Sequence, residues 1–462
     1  MYYPFLYKSY FEGKETHLSL SIKGVNPKNA VLNLDGYKHS MVQIVALALA
    51  SKTTVIIENP PLVIDTYVFV ALIKEMGGDA RIIHNKLHLD MRNVCINTIS
   101  YYLSQLIHGS MYLCPALLCL NGEFNYYGSG GCRIGNGKNN ERPIEHIMSV
   151  MKSFGASIEF NQIGIHGKYN SDDFWEPVEV DILKYSTTPE FLSGALVGGA
   201  TKTAIIMSLS RDTVIIKNPY MKTDVLDMIS FIQMIGKSVV INKNELIISG
   251  KLHTNCNFAY RVTLTECVSE IITYSSLAIL QHTKLTFRNL NKSIIVRGLK
   301  PEFELFDKMG IEYKWEQSDL IIEPTFNISP QIIDVLPQTI QSDHQPFFAL
   351  LLSYGKGVST ITDHVWEDRY HYISNLNMMN CAITRENNAI HISPSKLMPC
   401  SKELLARDVR CAAVTLLAMI LSRTSTNLIE AEHIFRGYSH LKEHLLEMGI
   451  LINCCTNPGD AK

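Results

Sequence analysis

The sequence predicts an α/β (α+β) protein of two domains, and three observations carry that expectation. A chain of 462 residues exceeds the size at which a single hydrophobic core stops growing. One local pattern recurs six times: a β-branched strand, a turn, a helix with apolar residues three and four apart, a glycine near the helix end, and a second strand. Between the copies stand apolar helical stretches. This extra segment argues against a doubly wound parallel sheet, the usual outcome of alternating strands and helices. Each unit therefore reads as helix, strand, helix and strand.

Taken in chain order, the units begin near Thr53, Phe124, Asp212, Thr283, Val358 and Thr426. The first and third are plainest, sharing the strand VII and the turn pair Asn-Pro (Asn59-Pro60, Asn218-Pro219). Methionine and glycine close the helix at Met76, Met309 and Met448. The second carries "GSGGCRIG" between its strand and its helix. The apolar stretches 41–51, 110–120, 268–281, 347–355 and 411–422 read as buried helices. The longest strongly apolar run, Cys411 to Leu421, falls far short of the roughly 20 residues a bilayer needs. No Pro- or Ser-rich linker marks a domain boundary, so strands are expected to pass directly from one domain to the other.

Composition excludes several function classes. The chain is 46% hydrophobic and 19% charged with a formal net charge of -2, which gives no bulk drive toward nucleic acid or membrane, so any anion site is local. The N-terminus "MYYPFLYKSYFEGKE" lacks the basic start, apolar core and small-residue cleavage site of a secretory signal, and a cytoplasmic protein is expected. Eleven cysteines without C-x-x-C spacing favour neither a disulfide framework nor a zinc site, and no metal or cofactor is called for. Most read as small buried hydrophobes. Cys132 differs: Gly128, Gly130 and Gly131 precede it and Arg133 and Arg142 flank it, so its thiol should titrate below the ordinary value of about 8.5.

Six such units, a glycine-flanked loop cysteine and Arg142-Pro143 opening the next helix resemble the enolpyruvyl transferases, most closely the UDP-N-acetylglucosamine 1-carboxyvinyltransferase branch. The resemblance spans nearly the whole chain through "GYKHS" (36–40), "GSGGCRIG…RP" (128–143), "GGAT" (198–201), "SDHQPFFALL" (342–351), "WEDRYHYI" (366–373), "ARDVRCAA" (406–413) and "HIFRGYSHLKEHLLEMG" (433–449). It implies a two-domain inverted α/β barrel built from the six repeated units, helices inside and sheets outside. One domain would hold 38–258 with the mobile cysteine loop. The other would join 1–37 to 259–462 and carry the general base and the carboxylate-binding arginines. Helix N-termini of both would face a shared cleft, which favours bound anions.

The resemblance implies transfer of the enolpyruvyl group of phosphoenolpyruvate to an acceptor hydroxyl, by addition and then elimination of phosphate. Such chemistry needs cations for a carboxylate and a phosphate, an acid for the vinyl methylene, and a base for the acceptor proton. Lys38, Arg142 and Arg436 match the residues that hold the phosphate and the developing negative charge, and Arg369 and Arg410 match those that grip the carboxylate. The planar fork of arginine pairs bidentately with both groups. By residue type alone each of these cations is a solvated surface charge. Lys38, Arg369, Arg410 and Arg436 are set apart by the turn or capping residues beside them. Asp343 matches the carboxylate that takes the acceptor proton, and it is also a good helix N-cap for the apolar run that follows. Cys132 matches the family's proton donor, the residue that fosfomycin alkylates. Lys38 and Arg410 join Cys132 and Asp343 as the catalytic set.

The acceptor side departs further from the family. His39 stands where an asparagine contacts the sugar, Ile107 and His108 replace an arginine, Val197-Gly198-Gly199 replaces a Ser-Val-Gly run near the diphosphate, and "NGKNN" (136–140) lengthens the cysteine loop. Arg142, Pro143 and Ile144 still resemble the stretch that cradles uracil. With His39, Gly198, Gly199 and Asp343 they form the expected acceptor set. A uridine nucleotide is the expected partner: UDP-N-acetylglucosamine for peptidoglycan, or UMP in a nucleoside natural-product pathway. The shikimate-pathway relative lacks the GGC loop. RNA 3′-phosphate cyclases need a C-terminal histidine, but "HIFRGY" fits the transferase better. A non-catalytic nucleotide-binding regulator would show eroded catalytic positions, which here persist. Oligomeric state is left open, with a monomer as the default.

Overall fold

The computed structural model describes residues 18–128, 130, 143–162, 164–169, 177–253, 258–366 and 368–456. The chain forms two compact units, Asp35–Glu266 and a discontinuous unit of Met1–Leu34 with Cys267–Lys462.

In the unit Asp35–Glu266 three helices form the interior: α1 (Lys38–Ala50), α2 (Leu113–Asn121) and α3 (Leu196–Met207). They pack on one another. Every residue of α1 from Ser40 onward is buried, which is why its sequence is apolar throughout rather than striped. Three sheets lie against these helices. One runs in the order Tyr260–Val262, Thr54–Ile57, Lys86–Asp90, Asp79–Ile83. A second runs Ser238–Ile241, Glu245–Ser249, Thr213–Lys217, Val178–Asp181, and a third has the strands Glu123–Tyr126, Ile165–Tyr169 and Ala156–Phe160. Each couples a hairpin to a parallel neighbour, as Val55 opposite Tyr260 and Val214 opposite Val178; in the third sheet a single Thr98–Asn125 bridge takes that place.

The second unit repeats the plan. Helices α4 (Val268–Gln281), α5 (Gln345–Ser353) and α6 (Val409–Ser422) pack together inside three four-stranded sheets. The N-terminal strand Leu18–Val25 pairs antiparallel with Ile450–Thr456, Leu20 opposite Cys454, and so completes the last sheet. Helices inside and sheets outside are the arrangement expected. The sheets stay separate, so among the described residues no strands close into a barrel.

Two features differ from the sequence reading. The second strand of the first five repeats opens a hairpin, and only in the sixth does it pair with the N-terminal strand; in the first repeat the hairpin turns through His84 and Asn85 at φ 47° and 58°, the twist that two-residue hairpins prefer. The core helix α3 escaped notice because Gly198, Gly199, Thr201, Lys202 and Thr203 interrupt its apolar run. Its threonines are accommodated by donating to carbonyls four residues back, Thr201 to Val197 at 3.0 Å and Thr203 to Gly199 at 2.9 Å.

The recurring glycine has a single cause. Gly77, Gly155, Gly236, Gly310 and Gly449 all follow an outer helix with φ between 77° and 112°, and Asn380 takes that place in the remaining unit at φ 70°. The left-handed residue reverses the chain so that the next amide reaches back into the last turn, as Gly78 to Ile73 and Cys381 to Leu376. Asparagine tolerates this conformation. The unit from Val358 therefore keeps the turn without the glycine of the other copies. Among the described residues no helix is long and apolar enough to cross a membrane.

A Cβ on Gly449 would overlap the Asn26 carbonyl oxygen, besides adopting a strained φ. Gly449→Ala is therefore expected to cost at least about 2 kcal/mol in urea unfolding, while Asn380→Gly stays within about 0.5 kcal/mol of the parent.

Candidate active site

In the discontinuous unit the site is built on Asp343, which lies just before α5. Its Oδ2 accepts from Arg410 Nη2 at 2.8 Å and its Oδ1 accepts from Arg369 Nη1. His344, not Asp343, occupies the N-cap position of α5, so the carboxylate faces guanidinium groups rather than helix amides. Asp343 remains partly exposed while both arginines are buried, at 6–7% exposure. These arginines are thus not solvated surface charges.

Each arginine is anchored locally. Arg410 enters α6 behind Asp408, whose Oδ1 caps the helix by accepting from the Arg410 and Cys411 amides at 2.8 and 3.0 Å. Its guanidinium also donates to Ser269 Oγ at 2.9 Å and Tyr438 Oη at 3.2 Å. Arg369 sits on the turn after the strand Ser359–Asp363. Asp363 stiffens that turn by accepting from Ser342 Oγ at 2.6 Å and from the Val365 and Trp366 amides at 2.8 and 3.0 Å. Burial opposes the Arg369 charge, but Asp343, Asp408 and Asp363 outweigh it and hold the group above its ordinary value. Burial likewise works against Asp408, and its bond to His371 with the Arg369 charge holds it below the usual carboxylate range. His371 in turn is raised, first by Asp408.

Arg436 ends the short 3₁₀ segment Ala431–Arg436 and is 6% exposed. The next residue must be small: a Cβ on Gly437 would lie 2.7 Å from Val409 Cγ1 and 3.8 Å from Arg410 Nη1. Arg436 therefore adjoins the foot of α6, and its charge joins burial in pushing His433 down to about 4.

In the unit Asp35–Glu266 the expected residues gather at helix N-termini. Lys38 begins α1, and its Nζ lies 3.4 Å from Oδ1 of Asp65, an acid in the first turn of the helix Ile64–Glu75. His39 follows, its ring 5.0 Å from that of Tyr37. Pro143 and Ile144 lead into the helix Glu145–Ser153. Gly198 and Gly199 lie in the first turn of α3, where a Cβ on Gly198 would touch the Tyr220 ring and one on Gly199 would overlap His146. Gly199 is what admits the His146 ring, whereas a side chain at Gly198 would meet Tyr220 at ordinary contact distance. Cys132 and Arg142 lie outside the described residues.

Sequence reasoning missed the centre of this group. Lys202 Nζ bonds Asp224 Oδ2 at 2.6 Å, both nearly buried, with the rings of Tyr112 and Tyr220 each 5.8 Å from the ammonium. Burial works against the Lys202 charge, but Asp224 outweighs it and holds the ammonium well above its usual value. Asp224 is lowered despite burial by Lys202 and His39. A charged residue inside an otherwise apolar helix was the available signal. Also missed were Ser269, Glu302 and His344 beside Arg410, and the Asp408–His371 pair. Among the described residues no group of three or more His, Cys, Asp and Glu side chains could hold a metal ion.

His146 gives the site a measurable acid sensitivity. Burial, then the Lys202 charge, lowers it from 6.5 to about 4. The folded state therefore binds fewer protons than the unfolded one between these values, and stability falls as pH drops through that window. Lowering the pH from 7 to 5 should remove about 2 kcal/mol through this group. His146→Asn should lose that part of the slope in urea titrations at the two pH values.

The family model of EPSP synthase (3-phosphoshikimate 1-carboxyvinyltransferase) matches residues 22–445. The chain is 25% identical over 448 residues to a UDP-N-acetylglucosamine 1-carboxyvinyltransferase of Wolbachia sp. subsp. Brugia malayi (strain TRS), covering 94% of this chain and 98% of that one. It is 25% identical over 455 residues to the enzyme of the same name from Prochlorococcus marinus subsp. pastoris, covering 96% and 92%. Among solved structures, the enolpyruvyl transferase NikO from Streptomyces tendae superposes with TM-score 0.87 at 27% identity, over 96% of this chain and 100% of that one. EPSP synthase from Acinetobacter baumannii shares the fold with TM-score 0.69 at 14% identity, over 96% and 100%. A match across nearly the whole chain makes this protein a member of the EPSP synthase family, an enzyme of the enolpyruvyl (carboxyvinyl) transferase class.

Proposed function

We propose that the protein moves the enolpyruvyl group of phosphoenolpyruvate onto a hydroxyl of a uridine nucleotide, releasing inorganic phosphate, with UDP-N-acetylglucosamine as acceptor. The observation that carries this reading is the carboxylate of Asp343 seated on Arg369 and Arg410. Two buried guanidinium groups aimed at one carboxylate form a site built for that functional group. In the proposed reaction they take the donor carboxylate. Lys38, Arg142 and Arg436 bind the donor phosphate and offset the negative charge that grows on it.

The balance is simple. The acceptor oxygen adds to C2 of the donor as its proton passes to Asp343, and Cys132 delivers a proton to the C3 methylene. Return of a C3 proton to the Cys132 thiolate then restores the double bond as the C2–O bond to phosphate breaks, and the proton held by Asp343 passes to the departing phosphate. Arg142, Pro143, Ile144, His39, Gly198 and Gly199 hold the nucleotide on this reading. Burial makes poor nucleophiles of the buried thiols Cys267 and Cys411, pushing both up to about 12. Cys132 is the exception by its cationic sequence neighbours.

UMP, or another simple uridine phosphate of a nucleoside natural-product pathway, is the second reading. It is favoured by the likeness to NikO.

Phosphate release from phosphoenolpyruvate with UDP-N-acetylglucosamine, UMP or shikimate 3-phosphate separates these readings. Release is expected with a uridine nucleotide and not without acceptor, and Asp343→Asn should lower kcat at least about a hundredfold. Silence with every acceptor, alongside nucleotide binding, would favour a regulatory role. Cys132 should alkylate faster than Cys95, Cys400 and Cys455 in mass mapping, at a rate that bound nucleotide alters. Equal rates would remove its proposed role.

A further inference from the structure

A second chain of buried polar groups leads away from Arg410 within the discontinuous unit. Ser269, in the first turn of α4, is fully buried; its Oγ accepts from Arg410 Nη2 at 2.9 Å and lies 3.4 Å from His344 Nε2. The other ring nitrogen, Nδ1, is 2.8 Å from Glu302 Oε1, an atom that also accepts the Gln341 amide at 2.8 Å. The side chains of His344 and Glu302 are both 0% exposed.

The chemistry of the groups gives this chain a direction. Arginine only donates, so Ser269 Oγ offers it a lone pair. The Glu302 oxygen that accepts an amide proton accepts the Nδ1 proton as well, and in the tautomer that carries its proton there Nε2 is an acceptor. The Ser269 hydroxyl proton then has one suitable destination, His344 Nε2. With the opposite ring tautomer, Nε2–H and Arg410 would both donate to Ser269 Oγ and leave the hydroxyl proton with no acceptor among these partners.

We propose that His344, oriented by Glu302, is a positioning residue for the transfer reaction: through Ser269 it fixes the Arg410 guanidinium against Asp343. This rests on the assignment of Arg410 and Asp343 to that reaction. Packing alone does not account for the device, because well-packed apolar side chains would fill the same volume without the desolvation that a buried acid and imidazole incur. His344 also follows Asp343 directly in the chain, so the ring and the Arg410 contact act on the same turn from two sides.

Two substitutions of one residue separate positioning from packing. His344→Asn places its amide near Nδ1 and keeps the Glu302 partner, whereas His344→Gln reaches the place of Nε2 and keeps the Ser269 link. Expected for phosphate release is a loss of about tenfold in kcat/KM for phosphoenolpyruvate in His344→Asn and Ser269→Ala, with His344→Gln within about threefold of the parent. The double variant His344→Asn/Ser269→Ala should be no worse than either single change. A better His344→Asn than His344→Gln, or additive losses, would overturn the proposal. Nitrogen NMR of 15N-histidine protein supplies a readout that needs no turnover. A neutral His344 protonated on Nδ1, with an Nε2 signal that shifts in Ser269→Ala, is expected; the Nε2-protonated form would overturn it. If the parent protein turned over no acceptor, the function assigned above would fail while these signals still decided the linkage.

Discussion

The double contact of Asp343 with Arg369 and Arg410 is the interaction to which the rest of the discontinuous unit is fitted. A carboxylate and two guanidinium groups with little access to water are tolerable only when each is held and each charge is answered. The surrounding structure meets that demand with ordinary local devices. Asp408 caps α6 and so sets the start of Arg410, while the Asp363 turn, tied by Ser342, Tyr370 and two amides, sets Arg369. Even Gly437 serves the arrangement, since a side chain there would press on Val409 beneath Arg410.

The same solution recurs at other buried helix starts. The first turn of an outer helix carries an acid that meets a lysine on a core helix: Asp65 with Lys38 and Asp224 with Lys202. A helix that begins inside a protein leaves amide protons without intrahelical partners and a positive dipole end, which favours anions close by. Supplying the cation together with its own carboxylate lets the interior hold charge at those ends. In these two repeats the architecture places a charged pair at a buried helix start, a setting suited to chemistry on anionic substrates.

Much of this was legible in the sequence, for identifiable reasons. Five of the six core helices were evident from their apolar stretches, and the glycine at outer-helix ends recurs because the left-handed position excludes most side chains. Asp343, Arg369, Arg410 and Arg436 lie in one unit, and Lys38, His39, Pro143, Ile144, Gly198 and Gly199 lie in the other. What was not legible depends on pairing across the fold. Lys202 reads as a flaw in an apolar helix until Asp224, some twenty residues away in a different helix, is seen to answer it. His344 looked like part of a motif around Asp343, and its role emerges only with Glu302 and Ser269, which are distant in sequence.

The chemistry assigned to Asp343 and Cys132 requires that the donor's C3 methylene gain a proton and lose one in each turnover. Deuterium uptake from heavy water into that methylene, followed by mass spectrometry of recovered donor and product, therefore tests the account most directly. The account predicts acceptor-dependent deuterium at C3 in the parent protein and none above background in Asp343→Asn. Turnover without deuterium, or uptake at the parent rate in Asp343→Asn, would contradict it.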